Sequence, residues 1–116
     1  MGSAFLVRRD ACEAVGLFDE SFFLFSEETD WFYRFHRAGW TIWFIPEAQA
    51  VHVGGATHGG RMFTENVRGH VRFFAKHHGA RQAARARLLL RASLLLRGLL
   101  FRGERGRMYR GAARSL

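Results

Sequence analysis

The chain has 116 residues, with 18 Lys and Arg against 10 Asp and Glu, which gives a formal net charge of +8. Apolar residues make up 48% of the chain and aromatic residues 15%, so its composition excludes an intrinsically disordered protein and allows one modest core. The single cysteine, Cys12, excludes an intramolecular disulfide and suits a reducing cytosol, and no apolar run reaches the ~20 residues that span a bilayer.

The first part of the chain has the pattern of an α/β unit. A strand is predicted over residues 3–7 and a helix over residues 9–15. An aromatic loop leads to a second helix over residues 27–38. Two strand-like runs follow, at residues 41–45 and 50–53, and the first of them is ended by the only proline.

The second part is predicted to be helical throughout. Its helices are predicted over residues 62–78, 80–101 and 104–114, with breaks at Gly79 and Gly103. A glycine-rich loop precedes these helices. It lacks the Lys-Ser or Lys-Thr pair of a phosphate-binding P-loop, so we interpret it as a flexible loop.

Three of the ten acidic residues crowd at the start of the second predicted helix, as Glu27, Glu28 and Asp30. Such a cluster in a cationic chain indicates a metal site, a general base, or both. The simpler interpretation is an N-terminal cap, because the helix dipole favours carboxylates there by ~0.3–1 kcal/mol each and Ser26 or Glu27 can cap. Asp30 and Arg34 are spaced i,i+4, so they share one face and can pair. In the simpler interpretation this pair faces solvent and is worth only ~0.5 kcal/mol.

The order of motifs over residues 2–60 resembles the C-terminal half of a family 2 glycosyltransferase of the rhamnosyl- or galactofuranosyltransferase-like kind. The resemblance is carried, in chain order, by Arg8-Arg9-Asp10-Ala11, Gly16-Leu17-Phe18-Asp19-Glu20, Glu27-Glu28-Thr29-Asp30, Arg37-Ala38-Gly39-Trp40 and His52-Val53-Gly54-Gly55. It implies an α/β fold, namely a partial GT-A fold (the C-terminal half of the nucleotide-diphospho-sugar transferase fold) followed by a basic helical tail. Residues 1–60 would then be the acceptor-side half of the catalytic domain, and residues 61–116 the basic C-terminal helices.

The resemblance also implies roles for individual residues. The family usually reads Glu-Asp-x-Asp where this chain reads Glu-Glu-Thr-Asp, which puts Glu28 at the position of the catalytic base. Glu27, Asp30 and Arg34 are then acceptor-binding or supporting residues. His52 falls where the family has a histidine that helps to hold a divalent metal, Mn or Mg, and a structural histidine is the alternative.

We expect the donor side of such an enzyme to be missing from this sequence. The chain has three aspartates, Asp10, Asp19 and Asp30, and none forms the Asp-x-Asp motif that holds the metal and donor diphosphate in the family. We therefore expect a fragment of an inverting transferase, inactive without a donor-binding half. The complete enzyme would move a sugar from a nucleotide-sugar donor to a glycan or lipid-linked acceptor in cell-envelope polysaccharide synthesis.

The basic tail permits three interpretations. Ten arginines follow residue 80, and on the predicted helix over residues 80–101 they flank two leucine triplets. The leucines could pack on their own domain under snorkelling arginines, or the helix could bind an anionic membrane surface. Nucleic acid is the least favoured partner because no recognised motif is present.

These interpretations leave an alternative to the transferase, a non-catalytic basic module that binds anionic membrane or nucleic acid. The expected location is the cytoplasm, including a peripheral position on the inner face of the cell membrane. His77 and His78 end a predicted helix, where a capping role is expected.

Overall fold

The computed structural model describes residues 4–52 and 60–116 of the chain. Helix accounts for 67% of these residues. The helices are α1 (Arg9–Val15), α2 (Glu27–Arg37), α3 (Gly60–Leu100) and α4 (Gly103–Arg114). The first helix has the predicted bounds, and the second ends one residue earlier than predicted.

The predicted break at Gly79 is present as a kink within α3. Gly79 has φ 81° and ψ 172°, so the backbone there is not helical and two helical segments meet at this residue. A residue with a Cβ rarely adopts this φ, which explains why glycine ends the first segment. Gly103, the other predicted break, also has a positive φ and begins α4.

The predicted α/β fold is wrong for the described residues, because none of them forms a strand or sheet. The segments over residues 4–7, 41–45 and 50–52 lack a partner strand in this part of the chain. A strand is stabilised by hydrogen bonds to its neighbour, so sequence pattern alone cannot produce one. Trp43 and Phe44 are accordingly 80% and 88% exposed. A partial GT-A fold is not supported, and residues 53–59, which include most of the glycine-rich loop, lie outside the described part.

The first of two apolar clusters joins α1 to α2. Ala11, Trp31 and Phe35 are buried at its centre, and Cys12 lies half-buried at its edge. The Trp31 indole Nε1–H donates to the carbonyl of Gly16 at 2.7 Å, just after α1 ends. These contacts fix the orientation of α2 relative to α1.

The second cluster joins α3 to α4, which lie against each other as a helical hairpin. Val67, Leu94, Ala112 and Ala113 form its buried centre. Small side chains on α4 let the two helices approach closely. No helix in the described ranges 4–52 and 60–116 is both long and apolar enough to cross a membrane.

Side chains of α2 and the preceding loop contact the first segment of α3. The Tyr33 ring centroid lies 4.4 Å from that of His77 and 5.3 Å from that of Phe73. Phe22 is buried, with the Lys76 ammonium 5.6 Å from its ring centroid. The acidic start of α2 is therefore held against a basic stretch of α3.

Candidate functional site

The turn that precedes α2 has an unusual backbone. Phe25 and Ser26 have φ of 65° and 70°, in the left-handed region that residues other than glycine rarely adopt. Each such residue costs of order 1–3 kcal/mol, and such strain clusters at functional sites. Ser26 occupies the N-cap position, but its side chain makes no capping hydrogen bond, so the predicted capping by Ser26 is wrong. Its hydroxyl lies 3.2 Å from Nδ1 of His70 on α3 instead.

Gly69 on α3 is what allows this turn to approach the helix. A Cβ at Gly69 would lie 2.8 Å from the Ser26 hydroxyl oxygen and 3.0 Å from the Phe25 carbonyl oxygen. Real Cβ contacts are longer than this, so a side chain at position 69 would push the turn away. The absence of a side chain thus fixes where α2 begins relative to α3.

Asp30 is fully buried and accepts hydrogen bonds from two helices. Arg34 Nε donates to its Oδ2 at 2.9 Å, while Lys76 Nζ and His77 Nε2 lie 2.7 Å and 2.6 Å from its Oδ1. Burial by itself raises the pKa of Asp30, but the hydrogen bonds from Lys76, His77 and Arg34 outweigh it, and the pKa lies below the ordinary 3.8. Asp30 is therefore an ionised carboxylate that links α2 to α3.

Arg34 and Lys76 extend this network to the rest of the first part. The two terminal nitrogens of Arg34 donate to the carbonyls of Val15 and Leu17, at 2.7 Å and 2.6 Å. The Asp30–Arg34 pair predicted from the spacing is confirmed, and because the carboxylate is buried, the simpler interpretation of a solvent-facing pair is wrong. Arg34 thus binds the end of α1 as well as Asp30.

Lys76 bridges two aspartates, since its Nζ also lies 2.6 Å from Oδ2 of Asp19. Burial alone lowers the pKa of Lys76, but the bonds to Asp19 and Asp30 raise it above the ordinary 10.5. Bonds from Lys76 and Ser21 hold the pKa of Asp19 well below its usual range. The aromatic loop between α1 and α2 is tied to α3 in this way.

Lys76 and His77 are the residues that sequence reasoning missed. His77 was predicted to cap a helix end, but it contacts Asp30 instead, 47 positions away. Lys76 is the only lysine of the chain, and that is the one signal that could have singled it out. No spacing rule pairs residues so far apart in the sequence.

Glu27 and Glu28 differ from Asp30 in having an unpaired oxygen each. The Oε2 atom of each side chain is buried and has no hydrogen-bond partner within the described part of the chain. Leaving a buried polar atom unpaired costs ~1–3 kcal/mol, and such atoms often mark a place for a missing ligand. Two acceptor oxygens at a helix N-terminus could take a proton or hydrogen bond from a bound hydroxyl group.

His52 is exposed, and it ends the first described range. Among residues 4–52 and 60–116, no three His, Cys, Asp or Glu side chains are gathered closely enough to hold a metal ion. The divalent metal predicted for the complete enzyme therefore stays a prediction, since its site was expected to be incomplete in this chain.

A cleft of about 500 Å³ opens beside the Asp30 network, between α1, α2 and α3. Tyr33, Arg37, Lys76 and His77 are among the residues that line it, and Glu28 and His52 do not. The site residues predicted from the sequence therefore do not lie together in one place. Asp30 and Arg34 share the network beside the cleft, the two glutamates lie at the start of α2, and His52 lies in a different segment.

The chain is similar to a region of two curated glycosyltransferases. Two curated relatives, both named N-acetylglucosaminyl-diphospho-decaprenol L-rhamnosyltransferase and both from Mycobacterium tuberculosis (strains CDC 1551 / Oshkosh and ATCC 25618 / H37Rv), are each 37% identical to it over 103 residues. The match covers 85% of this chain, and the chain spans 33% of the length of these relatives. No family model and no solved structure matches the chain.

Proposed function

We propose that this chain is the acceptor-side part of an inverting, family 2-like glycosyltransferase. The complete enzyme would move a sugar from a nucleotide-sugar donor to a glycan or lipid-linked acceptor in cell-envelope polysaccharide synthesis. The similarity to two rhamnosyltransferases supports the reaction class, and their name, which includes diphospho-decaprenol, supports a lipid-linked acceptor. The structural observation that carries the proposal is the buried, unpaired Oε2 of Glu28.

Glu28 is the proposed general base. Its carboxylate would accept the proton of an acceptor hydroxyl while the hydroxyl oxygen attacks the anomeric carbon of the donor sugar. The bond from that carbon to the nucleoside diphosphate breaks as the new glycosidic bond forms, so the configuration inverts. A positioned base of this kind contributes typically 10²–10⁴-fold to the rate.

The remaining residues of the cluster would position this base. Asp30 and Arg34 fix the start of α2 through their bonds to α1 and α3, so they hold the backbone that carries Glu28. Glu27 has the second unpaired oxygen and is proposed to hydrogen-bond the acceptor. Displacing a reacting group by ~1 Å can cost about a hundredfold in rate, so loss of this support should lower kcat.

A divalent metal, Mn²⁺ or Mg²⁺, remains a prediction for the complete enzyme. The described residues offer His52 without companion ligands. The other ligands would come from the donor-binding part, and His52 would be this chain's contribution to the site.

The test is a hybrid enzyme in which this chain replaces the matching third of the mycobacterial relative. The hybrid is assayed for rhamnose transfer from a nucleotide-linked rhamnose to N-acetylglucosaminyl-diphospho-decaprenol. We expect transfer above that of the relative lacking this third. A folded hybrid that binds donor but forms no product contradicts the proposal.

Glu28→Gln and Glu27→Gln make a matched pair in this hybrid, because both remove one charge from adjacent residues with the same buried, unpaired atom. Glu28→Gln should lower kcat by at least about 10² with donor affinity unchanged, whereas Glu27→Gln should act mainly on the acceptor KM. Equal, small effects on the rate would assign both residues a structural role.

In the same hybrid, His52→Ala should raise the Mn²⁺ concentration that gives half-maximal rate.

A second candidate function, the non-catalytic basic module, concerns the helices after residue 60. Nucleic acid is not favoured as its partner, since the exposed surface of the second segment of α3 is rich in leucine and offers aromatic stacking groups only at its end. An anionic membrane is the candidate that this surface supports.

A further inference from the structure

The second segment of α3, residues 80–100, has two apolar sides. One side packs on the hairpin, with Ala83 and Leu94 buried and Leu90 partly buried. The other side faces outward and consists of six leucines that are 46% to 79% exposed; we call it the leucine face. Its members are Leu88, Leu89, Leu95, Leu96, Leu99 and Leu100.

The geometry of the helix gathers these leucines on one surface. At 100° per residue they fall within an arc of roughly 140° on the side opposite Leu94. The exposed Ala92 lies within the same arc, so the last four turns of the helix carry no polar side chain there. Packing within the chain therefore accounts for the Leu94 side and leaves about half or more of each leucine on the leucine face exposed.

Arginines border the leucine face. Arg91 lies near one edge of the arc, Arg97 lies beyond the other, and Arg81 and Arg85 continue the face toward the kink at Gly79. No acidic residue occurs between Glu65 and Glu104, so nothing in this stretch neutralises them. The surface thus combines an aliphatic strip with uncompensated positive charge.

The charge argues against a second copy of the chain as the occupant. Two leucine faces packed on each other would bring their bordering arginines together, with no carboxylate in either stretch to pair with them. Like charges in such positions are destabilising. A partner that complements both the leucines and the arginines has an apolar interior and a negatively charged surface.

We propose that the leucine face docks on an anionic membrane surface. The helix lies in the plane of the interface, the leucines enter the boundary between head groups and acyl chains, and the arginines bind lipid phosphates. Binding of this kind scales with buried apolar area plus attraction to anionic lipid, with each basic residue near the surface worth about fivefold in affinity. The proposal deepens the second candidate function and is independent of the proposed transferase activity, because it concerns another surface and another measurement.

Vesicle co-sedimentation of the full 116-residue chain tests it. Vesicles of phosphatidylcholine containing phosphatidylglycerol should pellet the protein in 0.1 M salt, and vesicles of phosphatidylcholine alone should pellet much less. Raising the salt to 1 M shortens the Debye length from ~10 Å to ~3 Å, so pelleting on anionic vesicles should fall. Equal pelleting on both lipids, or none on either, overturns the proposal.

A pair of double variants separates the leucine face from hydrophobicity and charge in general. Leu96→Glu with Leu99→Glu should weaken vesicle binding by more than tenfold, since two leucines leave the apolar layer. The control is Leu6→Glu with Leu17→Glu, which makes the same chemical change at two exposed leucines of the first part. Once the effect of the two added negative charges is subtracted, vesicle binding by this control should stay within about twofold of the parent.

Two outcomes of this comparison contradict membrane docking. Equal loss in both double variants would assign binding to net charge alone. A fall in molar mass in solution, seen by analytical ultracentrifugation only for the Leu96 and Leu99 variant, would assign the face to a second copy. Circular dichroism of both variants, expected to match the parent because all four leucines are exposed, verifies that each has folded.

Discussion

Asp30 contributes more to the stability of the structure than its position in the acidic first turn of α2 indicates. It has no exposed surface, and it accepts bonds from one residue on its own helix and two on α3. A buried carboxylate is tolerated only where such partners offset the cost of removing it from water. Removing its charge leaves Lys76 and Arg34 without their shared partner.

We predict that Asp30→Asn lowers the free energy of unfolding by about 3 kcal/mol, because it breaks a buried charge network from one side. Asp10→Asn is the matched control, since Asp10 pairs with Arg8 at a site where both side chains are more than half exposed. It should lower the free energy of unfolding by a much smaller amount. Urea denaturation of both variants gives the comparison, and equal losses would contradict a buried role for Asp30.

The lowered pKa values of Asp19 and Asp30 predict acid sensitivity. For a carboxylate whose folded pKa is depressed, the stabilisation is complete above the unfolded value, here about 3.8, and is lost as pH falls through the folded pKa. Stability should therefore decline below about pH 4. Asp19→Asn removes one of these groups, so its unfolding free energy should change less between pH 6 and pH 3 than that of the parent. Parallel pH profiles would show that Asp19 does not contribute.

At the scale of elements, the contact between the turn before α2 and the first segment of α3 decides where the acidic cluster lies. It depends on two left-handed residues, Phe25 and Ser26, and on the missing side chain at Gly69. Helix propensity favours alanine over glycine at position 69, so the close approach outweighs a preference of about 1 kcal/mol.

Gly69→Ala should therefore destabilise the chain, by about 1–3 kcal/mol as for other overpacked sites, and should shift the thermal midpoint downward. Gly111→Ala is the matched control in α4, where an added Cβ meets nothing within 4 Å. That variant should gain up to about 1 kcal/mol from helix propensity. Calorimetry distinguishes the two, and a stabilised Gly69→Ala would mean that the turn moves without cost.

At the scale of the whole molecule, an acidic helix start and a leucine-rich basic helix occupy different parts of the chain. The first lies on α2 against α3, and the second lies on the far segment of α3 beyond the kink. The chain spans 33% of its curated relatives, and its sequence has no Asp-x-Asp motif for the donor diphosphate. We therefore expect the 116 residues to supply only the acceptor side of a transferase site.

We predict that the purified 116-residue protein does not transfer sugar from any nucleotide-sugar donor. Positioning of the donor and stabilisation of the leaving group are each worth several kcal/mol of barrier, and the sequence lacks the motif that supplies them in the resembling enzymes. A sensitive radiolabelled assay with several donors, with the hybrid enzyme as positive control, provides the measurement. Clear turnover by the chain alone would contradict the prediction.

The sequence by itself determined the features that depend on neighbouring residues. The bounds of α1 follow from local pattern, and the breaks at Gly79 and Gly103 follow from glycine's access to positive φ. The Asp30–Arg34 pair follows from i,i+4 geometry. The crowding of carboxylates at the start of α2 was visible for the same reason.

Only the tertiary structure decided what depends on partners distant in sequence. The apolar run over residues 41–45 has a strand pattern, yet a strand requires a neighbour, and the described residues supply none. Lys76 and His77 reach Asp30 because α3 packs against α2, which no local spacing indicates. The pattern of leucines shows that a helix has two apolar sides, but it is the packing of Leu94 against α4 that determines which side remains free.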